Sequence, residues 1–359
     1  MKVAVLGAGG MGGGVISELK KIPEVTGIIA MDVRPERVEQ LRKEGVTATT
    51  NLREALEDPE VGVAFVTSSN VAHKELTLAA FEHNKAVLCE KPIATTLKDS
   101  RFMVEEAERR KQFFQIGFEL RYSSMYTQIK KWIDEGLLGT VVNTRFTYMC
   151  SEFHGKGSWR NKLATGGSMF GEKLCHYVDL PRWWVGSPVK DVYTVCAPNV
   201  VPYYEVRDNY HTTYRFESGA VSQISFVMYM AQTFGGDPLK DILSQQQGDG
   251  HELRCHVIGT KGAAEGDAFY RTLKRWEFGD SPKSMTSKLA ETIRWDHTED
   301  NARIHNGTDQ TIDVIRRVRE GRPPMTPARD ALETMRLVFA ADLSADRGEP
   351  VAMKSLPED

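Results

Sequence analysis

The first fourteen residues constrain the fold more than any other stretch of the chain. Lys2-Val3-Ala4-Val5-Leu6 is a short apolar run, Gly7-Ala8-Gly9-Gly10-Met11-Gly12 follows without a break, and Val15 to Lys21 carries apolar residues at helical spacing. Strand, glycine turn and helix in that order make a phosphate cradle. The first glycine permits the tight turn, the second lets backbone approach a pyrophosphate, and the third lets the helix pack closely on the strand, while N–H groups at the helix end face the phosphates. Gly13 and Gly14 prolong the glycine run. A second apolar run, Gly27 to Met31, ends in Asp32, twenty residues beyond Gly12. A βαβ unit places a carboxylate there against the adenosine ribose hydroxyls, and because it repels a 2′-phosphate the sequence favours NAD over NADP. Arg34 keeps NADP open, since its guanidinium suits that phosphate, an adenine face or solvent alike.

At 359 residues the chain is long enough for two domains with cores of their own. Its charge is nearly balanced at −3, with 46 basic and 49 acidic residues interspersed. That mixture excludes a basic nucleic-acid surface and a polybasic membrane patch. With a first strand starting at Lys2 and no long apolar stretch, neither a signal peptide nor a membrane span is expected, and the expected location is cytoplasmic. Cys89, Cys150, Cys175, Cys196 and Cys255 are widely spaced and form no C-x-x-C pair, so reduced, mostly buried thiols are expected.

After Asp32 helix and strand patterns alternate. Pro35 to Lys43 is helical, Val61 to Val66 is a continuous apolar run typical of a parallel strand buried on both faces, and it ends in the polar loop Thr67-Ser68-Ser69-Asn70. His73 to Asn84 is an amphipathic helix, Ala86 to Cys89 the next strand, Thr96 to Lys111 a long charged helix and Phe113 to Phe118 a last strand. This predicts a doubly wound parallel sheet, a Rossmann domain over residues 1–121. From residue 122 to 359 the pattern predicts an α+β domain with a largely antiparallel open sheet. Ser123 to Glu135 is helical, and strands are expected at Val141 to Cys150, Val189 to Cys196, Asn209 to Phe216, Ala220 to Met228, His251 to Ile258 and Ala268 to Phe278. Ser218-Gly219 is a hairpin turn. Helices are expected near Ser168 to Trp184, Asn301 to Arg319 and Pro327 to Asp346, and Gly235 to Gly250 reads as a mobile loop over the site.

Two segments carry chemistry. Glu90-Lys91-Pro92 ends a parallel strand at the edge where open α/β sheets bind ligands, and an ammonium there holds a substrate hydroxyl and favours its alkoxide. Proline keeps the Lys91 backbone out of the helical region. By composition alone Lys91 also suits a surface loop. In the second segment, Glu172, His176 and Asp179 stand at i, i+4 and i+7, which on a regular helix is one face. Two acids flanking an imidazole suit proton transfer, and they suit equally a histidine buried for packing beside two solvated acids. Glu172 and His176, with His154 or His305, also have ligand-like spacing, but H-E-x-x-H and cysteine clusters are absent and no metal is expected.

On the residues just named, together with His73, Gly117 to Arg121, Gly166-Gly167 and Arg319 to Pro324, the sequence resembles the Gfo/Idh/MocA oxidoreductases over nearly its whole length. The resemblance implies a Rossmann domain followed by an α/β domain whose open sheet makes homodimer or homotetramer contacts. It also implies a Lys91–Pro92 bond open to the cis form, and a sugar or cyclitol held between nicotinamide and second sheet. Lys91 would polarise the reacting hydroxyl and His176 would remove its proton, with Glu172 as a further catalytic group. The cofactor set it implies is Gly7, Gly9, Gly10, Met11, Gly12, Asp32, Arg34, Thr67, Ser68, Asn70, His73, Glu90, Lys91 and Arg121. For substrate the candidates are Lys91, Tyr122, His154, Trp159, Arg160, Glu172, His176 and Asp179, with Tyr126, Tyr229 and His305 weaker. The family commonly has Asp at the position of Glu172 and a small or apolar residue at that of Lys173. Glu172 is therefore open to touching substrate, or to pairing with Lys173 or Lys91.

The expected activity is NAD-dependent oxidation of a ring hydroxyl of a sugar, glycoside or cyclitol. Two alternatives use the same parts. One is redox-neutral glycoside cleavage through transient oxidation, elimination and re-reduction; the other is a non-catalytic NAD-binding protein.

Overall fold

The computed structural model describes residues 1–357. Its first layer is a six-stranded parallel sheet of β1 (Lys2–Leu6), β2 (Gly27–Met31), β3 (Thr47–Thr49), β4 (Val61–Val66), β5 (Ala86–Cys89) and β6 (Phe114–Ile116). The strand order is β3-β2-β1-β4-β5-β6, so the winding reverses between β1 and β4 and leaves a crevice at their carboxyl ends. The central strands are apolar because both faces are covered: Val3 to Leu6 and Val63 to Val66 are inaccessible to solvent. Helices α1 (Gly10–Leu19), α2 (Pro35–Lys43), α3 (Leu52–Leu56), α4 (His73–Glu82) and α5 (Leu97–Arg110) supply the cover. Helix α1 begins five residues earlier than its apolar pattern indicated, since the glycines that close the turn also form its first turn.

Beyond α6 (Ser124–Asp134) a nine-stranded sheet is built from β7 (Val141–Cys150), β8 (Val189–Val195), β9 (Asn209–Phe216), β10 (Val221–Met228), β11 (Glu252–Gly259), β12 (Gly262–Asp267), β13 (Thr272–Asp280), β14 (Met285–Arg294) and β15 (Val351–Ala352). Its order is β14-β13-β12-β11-β7-β10-β9-β8-β15, antiparallel except where β10 runs parallel to β7. The β9–β10 hairpin turns at Gly219, whose φ of +88° glycine adopts without strain. The expected strand over Ala268 to Phe278 begins only at Thr272 as β13, because Ala268 to Arg271 form the turn that joins β12 to β13. Strands β12 and β14 escaped the sequence reading. β14 is exposed along nearly its whole length, so no buried face imposes alternation on it.

The helices of this half are α7 (Leu163–Gly166), α8 (Cys175–Val185), α9 (Ile242–Gln245), α10 (Asp300–Arg303), α11 (Gly307–Glu320) and α12 (Ala328–Arg347), of which α8 and α12 pack on the sheet. The expected helix from Ser168 to Trp184 is interrupted by a wide π-type turn at Phe170–Leu174 before α8. That over Asn301 to Arg319 is broken between α10 and α11. Helix α11 returns to the first layer, where Val314 and Ile315 pack with Val15 and Ile16 of α1. The chain then lays Thr326 on the free edge of β6: Ile116 N–H donates to the Thr326 carbonyl at 3.2 Å, and the Thr326 hydroxyl donates to the Ile116 carbonyl. Residues 235–250 carry α9, whose flank is tied by Arg271 to Asp241 and Ser244, and none of them lines the crevice described below.

All five cysteines are free and all but Cys196 are buried. Among the described residues no helix is long and apolar enough to cross a membrane, and no group of three or more His, Cys, Asp or Glu side chains is placed to hold a metal.

Candidate functional site

A crevice of about 950 Å³ opens at the carboxyl ends of β1, β2, β4 and β5. Each glycine of the first turn has its own reason. A Cβ on Gly7, whose φ is +96°, would lie 2.6 Å from the Ser68 Cα, and one on Gly12 would lie 2.0 Å from the Gly7 carbonyl oxygen. Gly10, by contrast, faces open space, and Gly9 meets only the end of Arg34 at 3.7 Å. The helix end therefore stays bare toward the crevice, with no side chain capping α1. A diphosphate fits such a cradle. Thr67 closes the turn from below by donating to the Gly7 carbonyl at 2.7 Å.

Asp32 is buried at the tip of β2. Its carboxylate accepts from Ala8 N–H at 3.0 Å and takes the Arg34 guanidinium through Nε at 2.9 Å and Nη2 at 3.1 Å. Burial alone would raise the carboxyl; the Arg34 bonds and charge override it and keep Asp32 ionised. Asn70 reaches across and donates to the Gly166 carbonyl at 2.9 Å, joining the first layer to the start of the second chemical segment. His73 is fully buried, with Nδ1 2.8 Å from the Pro92 carbonyl and Nε2 unpartnered, and burial pushes it down to about 4.

The crevice floor is Glu90 and Lys91. The Lys91–Pro92 bond is cis. The Lys91 ammonium donates to the backbone carbonyl of Glu172 and has no carboxylate within ion-pair distance among the described residues. Burial would lower it; the acidic neighbours, Glu172 first, more than compensate, so it stays a cation. Glu90 is pushed up to about 8 by burial and by Glu119, against the pull of Lys91. Gly117 makes room for it, since a Cβ there would fall 2.8 Å from the Glu90 carboxylate.

Glu172 pairs with neither lysine side chain. Its Oε1 lies 2.8 Å from Arg160 Nε and its Oε2 lies 3.3 Å from His154 Nε2. Burial would raise this carboxyl; Lys91, the His154 bond and Lys173 hold it well below the usual carboxylate range. The π-type turn explains the arrangement. It adds backbone to the turn that carries Glu172, so Glu172 is rotated out of register with His176 and Asp179, which lie on the regular helix α8. Glu172 looks into the crevice with Trp159 and Arg160, whose guanidinium stacks 4.6 Å over the Trp159 ring. His176 is 2 % exposed, with its Nδ1 unpartnered and its ring against Phe118 and His305. Burial, then the charges of Lys91, His305 and Lys173, hold it well below its usual value, so it is a neutral imidazole.

Three expected site residues stand elsewhere. Asp179 accepts from Arg121 Nε at 2.6 Å and Nη2 at 2.7 Å and from the Thr334 hydroxyl at 2.8 Å. Arg121, implied as a cofactor residue, also reaches Asp330 at 2.7 Å, and Arg182 completes the group. Tyr122 donates to Asp313 at 2.8 Å and accepts from Gln115 at 3.0 Å. These three side chains tie the layers together, because buried charges and hydroxyls take the nearest partners that satisfy them, and none lines the crevice. Of the remaining candidates, Gly7, Gly9, Gly10, Met11, Asp32, Arg34, Thr67, Ser68, Asn70, His73, Glu90, Lys91, Trp159, Arg160 and Glu172 line it, while Gly12, His154 and His176 do not. The sequence reading missed Thr50, Asn51 and Leu52, which line the crevice after the three-residue strand β3, too short to show a pattern. It also missed Glu119, which accepts from His305 Nδ1 at 2.7 Å and whose charge reaches Glu90, Lys91 and Lys173.

Two family models match this chain, one described as the oxidoreductase family with an NAD-binding Rossmann fold over residues 1–118, the other as the GFO/IDH/MocA C-terminal domain over residues 126–265. The chain belongs to the GFO/IDH/MocA oxidoreductases. Among its relatives in that family, myo-inositol 2-dehydrogenase of Thermotoga maritima is 24 % identical over 99 % of both chains. The inositol 2-dehydrogenase of Streptomyces avermitilis is 30 % identical over 74 % of this GFO/IDH/MocA chain and 72 % of its own length. Among solved structures, levoglucosan dehydrogenase in complex with NADH and levoglucosan shares the fold, with a TM-score of 0.79 at 21 % identity over 98 % of this chain and 99 % of that one.

Proposed function

We propose that this NAD-binding oxidoreductase is a dehydrogenase that oxidises a secondary ring hydroxyl of a sugar or cyclitol, with NAD as its cofactor. The observation that carries the reading is the floor of the crevice: a cation, Lys91, held by one carbonyl with N–H donors to spare, and a neutral buried imidazole, His176, close enough to feel its charge. The substrate class agrees with the inositol and levoglucosan dehydrogenases among the relatives.

The bound nicotinamide supplies the hydride acceptor. The chain does the rest. Lys91 donates to the reacting hydroxyl oxygen and stabilises the negative charge that grows on it, which is worth most in a site closed to water. His176 takes the hydroxyl proton; its depressed pKa keeps it unprotonated and ready at neutral pH. Glu172 orients Arg160 and His154 toward the ring rather than acting as a base, since both of its oxygens are already engaged. Asp32 selects NAD by denying room and charge to a 2′-phosphate.

Cyclitols, aldoses and aryl glycosides incubated with NAD or NADP and followed at the reduced-nicotinamide absorbance test this reading. Stoichiometric NADH from a cyclitol or aldose is expected, and phenol release at catalytic NAD would establish redox-neutral cleavage instead. His176→Ala is expected to lower kcat by roughly 10²- to 10⁴-fold while leaving the NAD dissociation constant in place; equal loss in both would overturn the base assignment. Through the exposed β13–β14 end of the second sheet we further propose a homo-oligomer, which light scattering would read directly.

A further inference from the structure

The π-type turn that frees Glu172 also brings in Lys173, and this residue has no place in the scheme above. Its ammonium sits 5.1 Å over the Phe153 ring. Among the described residues it makes no hydrogen bond and no ion pair, and the side chain is only partly exposed. Burial, then the charge of Lys91, pulls its pKa down, so the two ammoniums are near enough to repel each other. A second unpaired cation beside a first is costly, and a fold keeps one where a ligand brings the counter-charge.

The surrounding charges give the same answer. Around Lys91 and Lys173 stand Glu172, Glu119, Glu90, Cys150 and Cys175, with Arg160 and His154 on Glu172 and His305 on Glu119. Burial keeps both thiols protonated, and Glu90, at about 8, holds its proton at neutral pH. Three cations, Lys91, Lys173 and Arg160, therefore face two carboxylates, Glu172 and Glu119. One positive charge is left over among these side chains.

We propose that the substrate is an acidic sugar, a ring bearing a carboxylate, which Lys173 pairs while the reacting hydroxyl faces Lys91. Trp159 and Arg160, which line the crevice, supply the ring contacts together with the Glu172 carboxylate that Arg160 and His154 pair. A monoanion matches the surplus; a phosphate dianion exceeds it. This inference rests on the dehydrogenase reading and narrows it to one class.

The test compares D-glucuronate and D-galacturonate with D-glucose, D-galactose, myo-inositol and glucose 6-phosphate at saturating NAD. A uronate is expected to exceed its neutral counterpart at least tenfold in kcat/KM. In Lys173→Met that ratio is expected to fall by roughly 10- to 100-fold, the range for one charged hydrogen bond, with Lys173→Arg keeping part of it. Equal turnover of acid and neutral sugar, preference for the phosphate, or an unchanged ratio in Lys173→Met would overturn the proposal. Because the variant removes an unpaired charge, its melting temperature is expected not to fall. Should nothing turn over, calorimetric titration of the same sugars into the NADH-loaded protein separates the two readings. Uronate binding abolished by Lys173→Met would refute the dehydrogenase while upholding the acid site; no preference for uronate would refute the site.

Discussion

Arg121 and Asp179 present the sharpest contrast between what family resemblance implies and what the structure places, and they allow a quantitative test. The two side chains are 6 % and 2 % exposed and share two hydrogen bonds, with Thr334 giving Asp179 a third. Asp179→Ala leaves a buried guanidinium with only the half-exposed Asp330 carboxylate and takes the acceptor from Arg121. Removing one member of a buried pair costs about 3–5 kcal/mol, whereas replacing both by apolar groups of similar size is close to neutral. A chain of 359 residues has an unfolding entropy of about 0.75 kcal/mol/K. Each single variant should therefore melt about 4–7 °C lower, and Arg121→Met with Asp179→Leu should recover most of that. Arg182, Asp330 and Thr334 remain satisfied in the double variant, since Arg182 bonds both of the others at 2.9 Å. The assay is a thermal melt of the four proteins, with the KM for NAD measured on each. If Arg121→Met raised that KM tenfold and left the melt untouched, Arg121 would be a cofactor residue and the structural argument would fail.

Gly12→Ala should abolish NAD binding, because its methyl meets the Gly7 carbonyl oxygen at 2.0 Å, whereas Gly10→Ala should fold normally and raise the KM for NAD; a wild-type melt and affinity for Gly12→Ala would refute the close approach. Asp32→Ala should improve the NADP to NAD ratio of kcat/KM at least about tenfold, about 1.4 kcal/mol, by freeing Arg34; an unchanged ratio would mean that Asp32 does not discriminate. Two buried groups make stability depend on pH in opposite senses. His73 titrates at about 4 in the fold against 6.5, so as pH falls from 6.5 to 4 the unfolded chain gains a proton that the native state refuses, and about 3 kcal/mol is lost. Glu90 titrates at about 8 against 4.5, so as pH rises through that window the native state keeps a proton that the unfolded chain releases, and stability falls. In denaturant midpoints from pH 4 to 9, His73→Gln should flatten the acid limb and Glu90→Gln the alkaline one; curves parallel to wild type would contradict both shifts.

The first layer was legible because its chemistry is local. A glycine turn, a carboxylate at a fixed interval and continuous apolar strands are all written in contiguous residues, and the crevice they form followed from strand order alone. The second layer was less legible for two physical reasons. β14 has no buried face and so no alternation, and the π-type turn at Phe170–Leu174 has no sequence pattern that separates it from α-helix, yet it turns Glu172 out of register with His176 and Asp179. Glu119 and the Arg121–Asp179 group depend on contacts between distant segments. Periodicity cannot show which carboxylate a buried arginine meets.

The strip around Thr326 that seals the edge of β6 has a consequence for biosynthesis. During synthesis the amino-terminal sheet emerges with that edge bare and with the surface of α1 that Val314 and Ile315 will cover still wet. About two hundred residues must leave the ribosome before the missing pieces arrive. The nascent half is thus a client for a chaperone, and a chain cut short before residue 307 would display a sticky strand to its neighbours instead of a finished nucleotide-binding unit.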